Sequence, residues 1–309
     1  MENNGKAMNK LKCLIGREKI RAQFEHYLAY MHEGREKGMM VRPHMVLVGN
    51  PGTGKTTVAR LFADILNEEG LLSKGQFILV TSNDLVGRYI GETITKTQAV
   101  CDSAKGGILY IDEAHGLIDD YGREAIEVLF GFMTSVDSDD AIVILSCYPD
   151  EMKHLFNSNP GLERRINSFF YFDDYIPDEL TEMFRLLLKA NDFHISEDGI
   201  NQAKAYFTNL YYKRGKNFGN AREVQLLFSV VKTNQARRLY ETTNPTEEDL
   251  STILPQDFPT IEHNNIPYEE TESNKRNQKE IKDEIVQIVN ELQFRLQKLQ
   301  SKLNELCDD

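Results

Sequence analysis

Between a short apolar run and an amphipathic repeat, the chain carries Gly49-Asn-Pro-Gly-Thr-Gly-Lys55-Thr56, which fits the spacing G-x-x-x-x-G-K-[ST]. Met45-Val-Leu-Val48 ahead of it reads as a buried strand. Behind it, Val58, Leu61, Phe62, Ile65 and Leu66 fall at i, i+3, i+4, i+7 and i+8, the spacing of a helix. Strand, glycine-rich turn and helix is the order that a phosphate cradle needs. The glycines let backbone N–H groups converge on phosphate oxygens, and the helix N-terminus adds its partial positive charge. Lys55 is then expected to reach the β- and γ-phosphates, and Thr56 to set a hydroxyl on Mg²⁺. An ordinary glycine turn is the bland alternative, and the flanking strand and helix argue against it.

A nucleotide-cleaving site needs a second, acidic element on a neighbouring strand. Ile108-Leu-Tyr-Ile111-Asp112-Glu113 supplies it. Four apolar residues bury the strand, so both carboxylates emerge at its C-terminal end, where open parallel sheets bind ligands. Asp112 is expected to hold the Mg²⁺ shell and Glu113 to polarise the attacking water. Asp112-Glu-Ala-His115 also spells the DEAH of a helicase family. Such a helicase needs a second RecA-like domain with its own Gln- and Arg-rich motif, and the region after residue 177 has neither the room nor the pattern. His115 is read as a local helix or turn residue.

Around these motifs, Phe77-Ile-Leu-Val80, Ile142-Val-Ile-Leu145 and Phe169-Phe-Tyr-Phe172 read as further strands, alternating with helices such as the one carrying Ile126, Leu129, Phe130 and Met133. Five strands alternating with helices predict an α/β domain over 41–175, a five-stranded parallel sheet with helices on both faces. Residues 1–40 read as a helical lead-in through Ile20, Phe24, Tyr27, Leu28 and Met31, closed by a charged turn over 33–38. After Pro177 strand signals stop, and two helical stripes, Leu180, Met183, Phe184, Leu187, Leu188 and Val224, Leu227, Phe228, Val231, predict a small helical domain over 176–257. Residues 241–273 hold four of the nine prolines and nine acidic residues with no Lys or Arg. That composition reads as extended chain, with 258–274 as the linker itself. From 275 to 309, Ile281, Ile285, Ile288, Leu292, Leu296, Leu299, Leu303 and Leu306 follow heptad spacing with one extra four-residue step, a coiled-coil helix for self-association or a partner. A helix packing back on its own lid is the alternative.

Composition narrows the partners. A net charge of −12 leaves no overall basic footprint for nucleic acid. Cys13, Cys101, Cys147 and Cys307 are scattered and form no C-x-x-C pair, as expected in a reducing compartment without a zinc site. No apolar run approaches the roughly 20 residues of a membrane span, and the N-terminus lacks the apolar stretch of a signal peptide. The expectation is a cytoplasmic protein that does not enter membranes.

With these motifs in place, the chain resembles the AAA+ ATPases over residues 10–257, within them the group of the red-type rubisco activase CbbX, stage V sporulation protein K and the EccA ATPases. Leu14-Ile15-Gly16 is similar to the element lining the adenine pocket. Gly49-Asn50-Pro51-Gly52-Thr53-Gly54-Lys55-Thr56-Thr57-Val-Ala59 resembles the group's phosphate loop. The stretch Asp84-Leu-Val-Gly-Arg-Tyr89-Ile90-Gly91-Glu-Thr93 resembles the one bearing its central pore loop. Asp120-Tyr-Gly-Arg-Glu-Ala-Ile-Glu127, Ser158-Asn-Pro-Gly161 and the lid motif Phe218-Gly-Asn-Ala-Arg222 follow the group as well.

The resemblance implies ATP and Mg²⁺ as cofactors, a helical lid, a homo-hexameric ring and a protein substrate. It makes Tyr89, Ile90 and Gly91 the tip that grips a polypeptide. Arg165 falls at the arginine finger, which completes a neighbour's γ-phosphate site, although Arg164 adjoins it where the family has a small residue. Arg222 falls at the lid's sensor arginine. The polar sensor that follows the fourth strand is Ser146 or Tyr148, since this strand ends Leu145-Ser-Cys-Tyr-Pro149. The expected activity is remodelling of a protein partner driven by ATP hydrolysis. A nucleotide-gated scaffold, recruiting partners through 275–309, shares every ATP-binding residue but needs neither Glu113, Arg165 nor Tyr89. A DNA-handling loader or initiator is disfavoured by the negative charge.

Overall fold

A computed structural model describes residues 5–39, 43–87, 89, 91–118, 120–135, 141–242 and 244–259. The coiled-coil expectation over 275–309, nearly all of the linker, Cys307 and Ile90 lie outside these residues.

All five apolar runs become strands: β1 His44–Gly49, β2 Phe77–Thr81, β3 Ile108–Asp112, β4 Ile142–Cys147 and β5 Ile166–Phe172. They form one parallel sheet in the order β2-β3-β4-β1-β5. Every residue of β1 and β4 is buried, which is why these strands read as unbroken apolar runs without alternation. Successive side chains still part to opposite faces. Met45 and Leu47 pack beneath α1 Lys6–Lys12, α2 Glu18–Glu36 and α3 Lys55–Glu68. Val46 and Val48 pack in the cluster formed with α4 Ser82–Leu85, α5 Glu92–Ala104, α6 Asp120–Thr134 and α7 Pro149–Ser158. Phe24 of α2 stacks on Phe62 of α3, and Phe170 of β5 tilts against the pair, tying the lead-in helices to the sheet. α2 runs on to Glu36, so the turn expected over 33–38 is confined to its last residues.

Because β3, β4 and β1 are adjacent and parallel, their C-terminal ends lie side by side. At or just past these ends lie the phosphate loop, Asp112-Glu113 and Tyr148. One sheet edge therefore collects the residues that the motifs single out.

The second part of the chain is built on α9 Pro177–Ala190, α10 Glu197–Tyr212 and α11 Ala221–Glu241, whose stripes meet at Phe184, Phe207, Leu227 and Val231. Two expectations are corrected here. Strands do not stop after Pro177: β6 His194–Ile195 pairs in parallel with β7 Thr252–Ile253. Two residues are too few to leave a period in a sequence. Nor is the described chain over 244–259 simply extended. Helix α12 Glu247–Ser251 starts at a Thr246 cap, and Asp257 is buried in a two-pronged pair with Arg238, 2.9 and 3.0 Å. Phe258 packs on Phe184. Among the described residues of this stretch, Pro255 opens a short 3₁₀ turn and Asp249 closes the cap on Thr246. No helix among the described residues is long and apolar enough to cross a membrane.

Candidate active site

The phosphate loop leaves β1 at Gly49 and enters α3 at Lys55. Gly52 and Gly54 hold φ of +68° and +87°, the left-handed region that glycine reaches without steric cost. Gly54 caps α3, whose first turn has no acidic residue to neutralise the positive end of the helix. Lys55 is only 8% exposed. Its Nζ donates to the Gly49 and Asn50 carbonyls at 2.8 and 3.0 Å. Burial lowers its pKa and the Asp112 carboxylate partly offsets this, leaving it at about 8.

Across the sheet edge, Asp112 ends β3 and Glu113 follows at φ +51°, a left-handed conformation that is uncommon for a residue with a side chain. Its backbone N–H donates to Asp112 Oδ1 at 3.1 Å. The Tyr148 hydroxyl donates to Glu113 Oε1 at 3.0 Å, fixing the carboxylate from the β4 side. The fully buried Tyr110 connects the two expected Mg²⁺ ligands: its hydroxyl lies 3.1 Å from Thr56 Oγ1 and 3.5 Å from Asp112 Oδ1. Ser146, also buried, hydrogen-bonds the same hydroxyl, and burial raises the Tyr110 pKa. Of the two residues open for the sensor position, Tyr148 borders the cleft and Ser146 sits beneath it on Tyr110. His115 stands in a single 3₁₀ turn, Ala114–Leu117, its ring against Tyr148.

A cleft of about 320 Å³ joins these groups. Pro51 through Thr57, Asp112, Glu113 and Tyr148 line it from the sheet, and Arg222 and Gln225 from α11. Its donor set suits a triphosphate with a hard divalent cation. Loop amides, an ammonium and a guanidinium face the anion, while a hydroxyl and a carboxylate offer oxygen ligands. Asn50, Ile15 and Gly16 are not in the lining. Asn50 instead donates to Asp174 at 2.9 Å. Gly16 holds φ +63°, a conformation that glycine reaches without strain, and a Cβ there would lie 2.1 Å from the Glu179 carboxylate, which would have to move.

The remaining candidates face outward. Arg165 is exposed, 5.1 Å from the centre of the Phe130 ring, and takes no part in its own chain's cleft. Arg164, likewise exposed, ends the short helix α8 Pro160–Glu163. Tyr89 is 78% exposed and its backbone N–H lies 3.3 Å from Glu92 Oε2, while Gly91, φ +83°, caps α5. Sequence reasoning missed four residues: Tyr110, Gln225, Arg17 and Asn220. Tyr110 carries a polar tip inside an otherwise apolar run, which is a readable signal. Gln225 could be placed one helical turn beyond Arg222. Arg17 follows the quoted Leu14-Ile15-Gly16 and Asn220 lies inside the quoted lid motif, but neither residue type by itself points to a role.

Residues 45–173 match the model of the ATPase family associated with various cellular activities (AAA), and 176–267 match the AAA lid domain. A CfxQ homolog of Galdieria sulphuraria is 40% identical over 222 residues, covering 70% of this chain and 72% of the relative. The chloroplastic ribulose bisphosphate carboxylase/oxygenase activase of Cyanidioschyzon merolae is 40% identical over 224 residues, 70% and 75% of the two chains. CbbX of Cereibacter sphaeroides is 39% identical over 222 residues, 70% and 71%. Among solved structures, the Thermotoga maritima RuvB Holliday junction branch migration motor superposes with a TM-score of 0.55 at 19% identity, over 79% of this chain and 67% of that one, a likeness of fold.

Proposed function

The chain belongs to the AAA ATPases as a CbbX-type member, an ATP hydrolase, and from that premise we propose that it spends ATP to remodel a protein partner as a ring of identical subunits. The observation that carries the reading is the convergence of Lys55, Thr56, Asp112, Glu113, Tyr148 and Arg222 on one cleft, while Arg165 faces away from it. The name of the Cyanidioschyzon merolae relative supports a protein as partner. The negative charge argues against nucleic acid in that role, and a cytoplasmic setting suits the scattered cysteines.

In the proposed mechanism the loop amides and the Lys55 ammonium bind the β- and γ-phosphates and hold the terminal phosphoryl group in line with water. Glu113, steadied by Tyr148, orients that water and takes its proton. Thr56 and Asp112, set together through Tyr110, would hold Mg²⁺, which when bound neutralises developing charge on the phosphate oxygens. Arg222 reaches the same oxygens from the lid, and Arg165 from the adjoining subunit. Tyr89, Ile90 and Gly91 serve as the pore-loop tip that carries the partner chain, and the heptad spacing of residues 275–309 supports a role for that segment in tying the ring or recruiting a partner.

The test is steady-state ATP hydrolysis against protein concentration, with assembly mass measured in parallel. Specific activity should rise as subunits associate. Activity per chain that is independent of concentration while the protein stays monomeric would exclude a shared site.

A further inference from the structure

The carbonyls of three successive phosphate-loop residues are held by groups outside the loop. Pro51 O lies 3.2 Å from Asn220 Nδ2, Gly52 O accepts from the Ala221 backbone N–H at 3.2 Å, and Thr53 O accepts from Arg17 Nε and Nη2 at 3.2 and 2.9 Å. Turning these carbonyls outward is what turns the loop's N–H groups toward the cleft. Two of the three anchors, Asn220 and Ala221, belong to the lid. A Cβ on Gly52 would lie 2.1 Å from Gly219 O, so loop and lid backbone touch directly.

Asn220 is fully buried and its amide orientation is set by its partners. Oδ1 accepts from the Tyr175 backbone N–H at 2.8 Å, which leaves Nδ2 to face Pro51 O, Asp174 Oδ1 at 2.8 Å and Phe218 O at 2.9 Å. Asp174 also receives Asn50 Nδ2 at 2.9 Å and pairs with Arg214 at 3.4 Å. Tyr175 presses its ring on Arg17, 3.7 Å from the guanidinium carbon, and Arg17 is only 4% exposed. Asp174 and Tyr175 are the connection between β5 and α9, where the chain passes from sheet to lid. The phosphate loop, that connection and the lid therefore share one buried amide.

We propose that Asn220 is a positioning residue that locks the phosphate loop to the lid through the Pro51 carbonyl and the Asp174-Tyr175 connection, so that nucleotide state sets lid angle without requiring Arg222. The coupling rests on the ATP-site reading above. A buried side-chain amide with several backbone partners has little freedom to follow one anchor without the others. When the loop shifts around a γ-phosphate, the shift passes to the lid through Asn220, and Arg17 holds the far end of the loop still.

The experiment measures the distance between spin labels on the lid and the sheet domain. Labels at exposed Tyr240 and Lys153, changed to Cys in the full chain with Cys13 and Cys307 changed to Ser, are diluted with unlabelled chain to suppress contacts between subunits. Distances are recorded with ADP and with a non-hydrolysable ATP analogue. The parent should show a shift between the two, Arg222→Ala should keep most of it, and Asn220→Gly should lose most of it, with only the backbone contact of Gly52 to the lid left. Glycine tolerates the φ of +53° at this position and removes only the amide. Its analogue affinity should fall by about tenfold or less, the scale of one or two hydrogen bonds. A shift in Asn220→Gly equal to the parent's overturns the proposal. Should Asn220→Gly not fold, Asn220→Asp, similar in size but without donors toward Pro51 and Asp174, carries the same expected loss. Binding of a fluorescent ATP analogue is followed separately: failure of the parent to bind overturns the ATP-site reading itself, whereas binding with an unchanged distance overturns only the coupling.

Discussion

Lys55 and Arg165 are both cations proposed for the same phosphate, yet their surroundings are opposite. Lys55 is nearly buried, held by two backbone carbonyls, and its charge is weakened by burial. Arg165 is exposed and rests on one aromatic ring. Around Lys55 the chain completes a cleft from its own residues, from β1, β3, β4 and α11. Around Arg165 it offers a side chain with nothing of its own to act on. Preorganisation of the first kind is built by folding. Under the proposed function the second kind is left for assembly, which would let turnover depend on a neighbour while nucleotide binding does not.

The sharpest way to break this comparison is Arg165→Ala. An arginine finger supplied by a neighbour is worth about 10³–10⁵ in rate, so turnover should fall by that order with ATP affinity nearly kept. Mixing Arg165→Ala with Lys55→Ala chains should then restore measurable hydrolysis, because some junctions pair an intact finger with an intact cleft. A mixture no more active than its components would show that both residues serve one chain. If Arg164→Ala carries the loss instead, the finger moves one residue and the comparison stands.

Glu113→Gln tests the built half. The amide keeps the size and the contact with Tyr148 but cannot accept the water's proton, so hydrolysis should drop by about 10²–10⁴ while ATP stays bound. Turnover at the parent's rate in a direct phosphate-release assay would remove Glu113 from the reaction.

The same contrast explains what the sequence disclosed. Features made by local pattern were legible: the loop between strand and helix, the five apolar runs, the stripe from Leu180 to Leu188. Lys55, Thr56, Asp112 and Glu113 were legible because chemistry requires those residue types at the ends of particular strands. Strand order and the meeting of β3, β4 and β1 at one edge follow from sheet topology, which the motifs only implied. Arg17 and Asn220 were hidden for a different reason. Their roles are hydrogen bonds to backbone carbonyls 36 and 169 residues away, and a carbonyl has no residue type to recognise. Asp249, Pro255 and Asp257 misled for the converse reason, since the same composition serves a solvated linker and a capped, packed turn.

The smallest effect sharpens the comparison through the charge of Lys55. Burial brings its pKa in the free protein to about 8, so below that pH the ammonium is already charged and above it the amine is mostly neutral. Polyphosphate binds the charged form better, so binding above the pKa must draw in a proton. ATP affinity should therefore be flat below about pH 8 and weaken above it, by about tenfold per unit at most. Calorimetric titrations in buffers of different ionisation enthalpy would report proton uptake near about pH 9 and little near about pH 7. Lys55→Ala should bind more weakly throughout and lose this slope. Arg165→Ala should keep it unchanged, because a guanidinium stays charged across the whole range and takes no part in its own chain's cleft. Parent affinity that does not respond to pH through this window would mean that nucleotide never meets the buried amine, and that the two cations are less different than their surroundings.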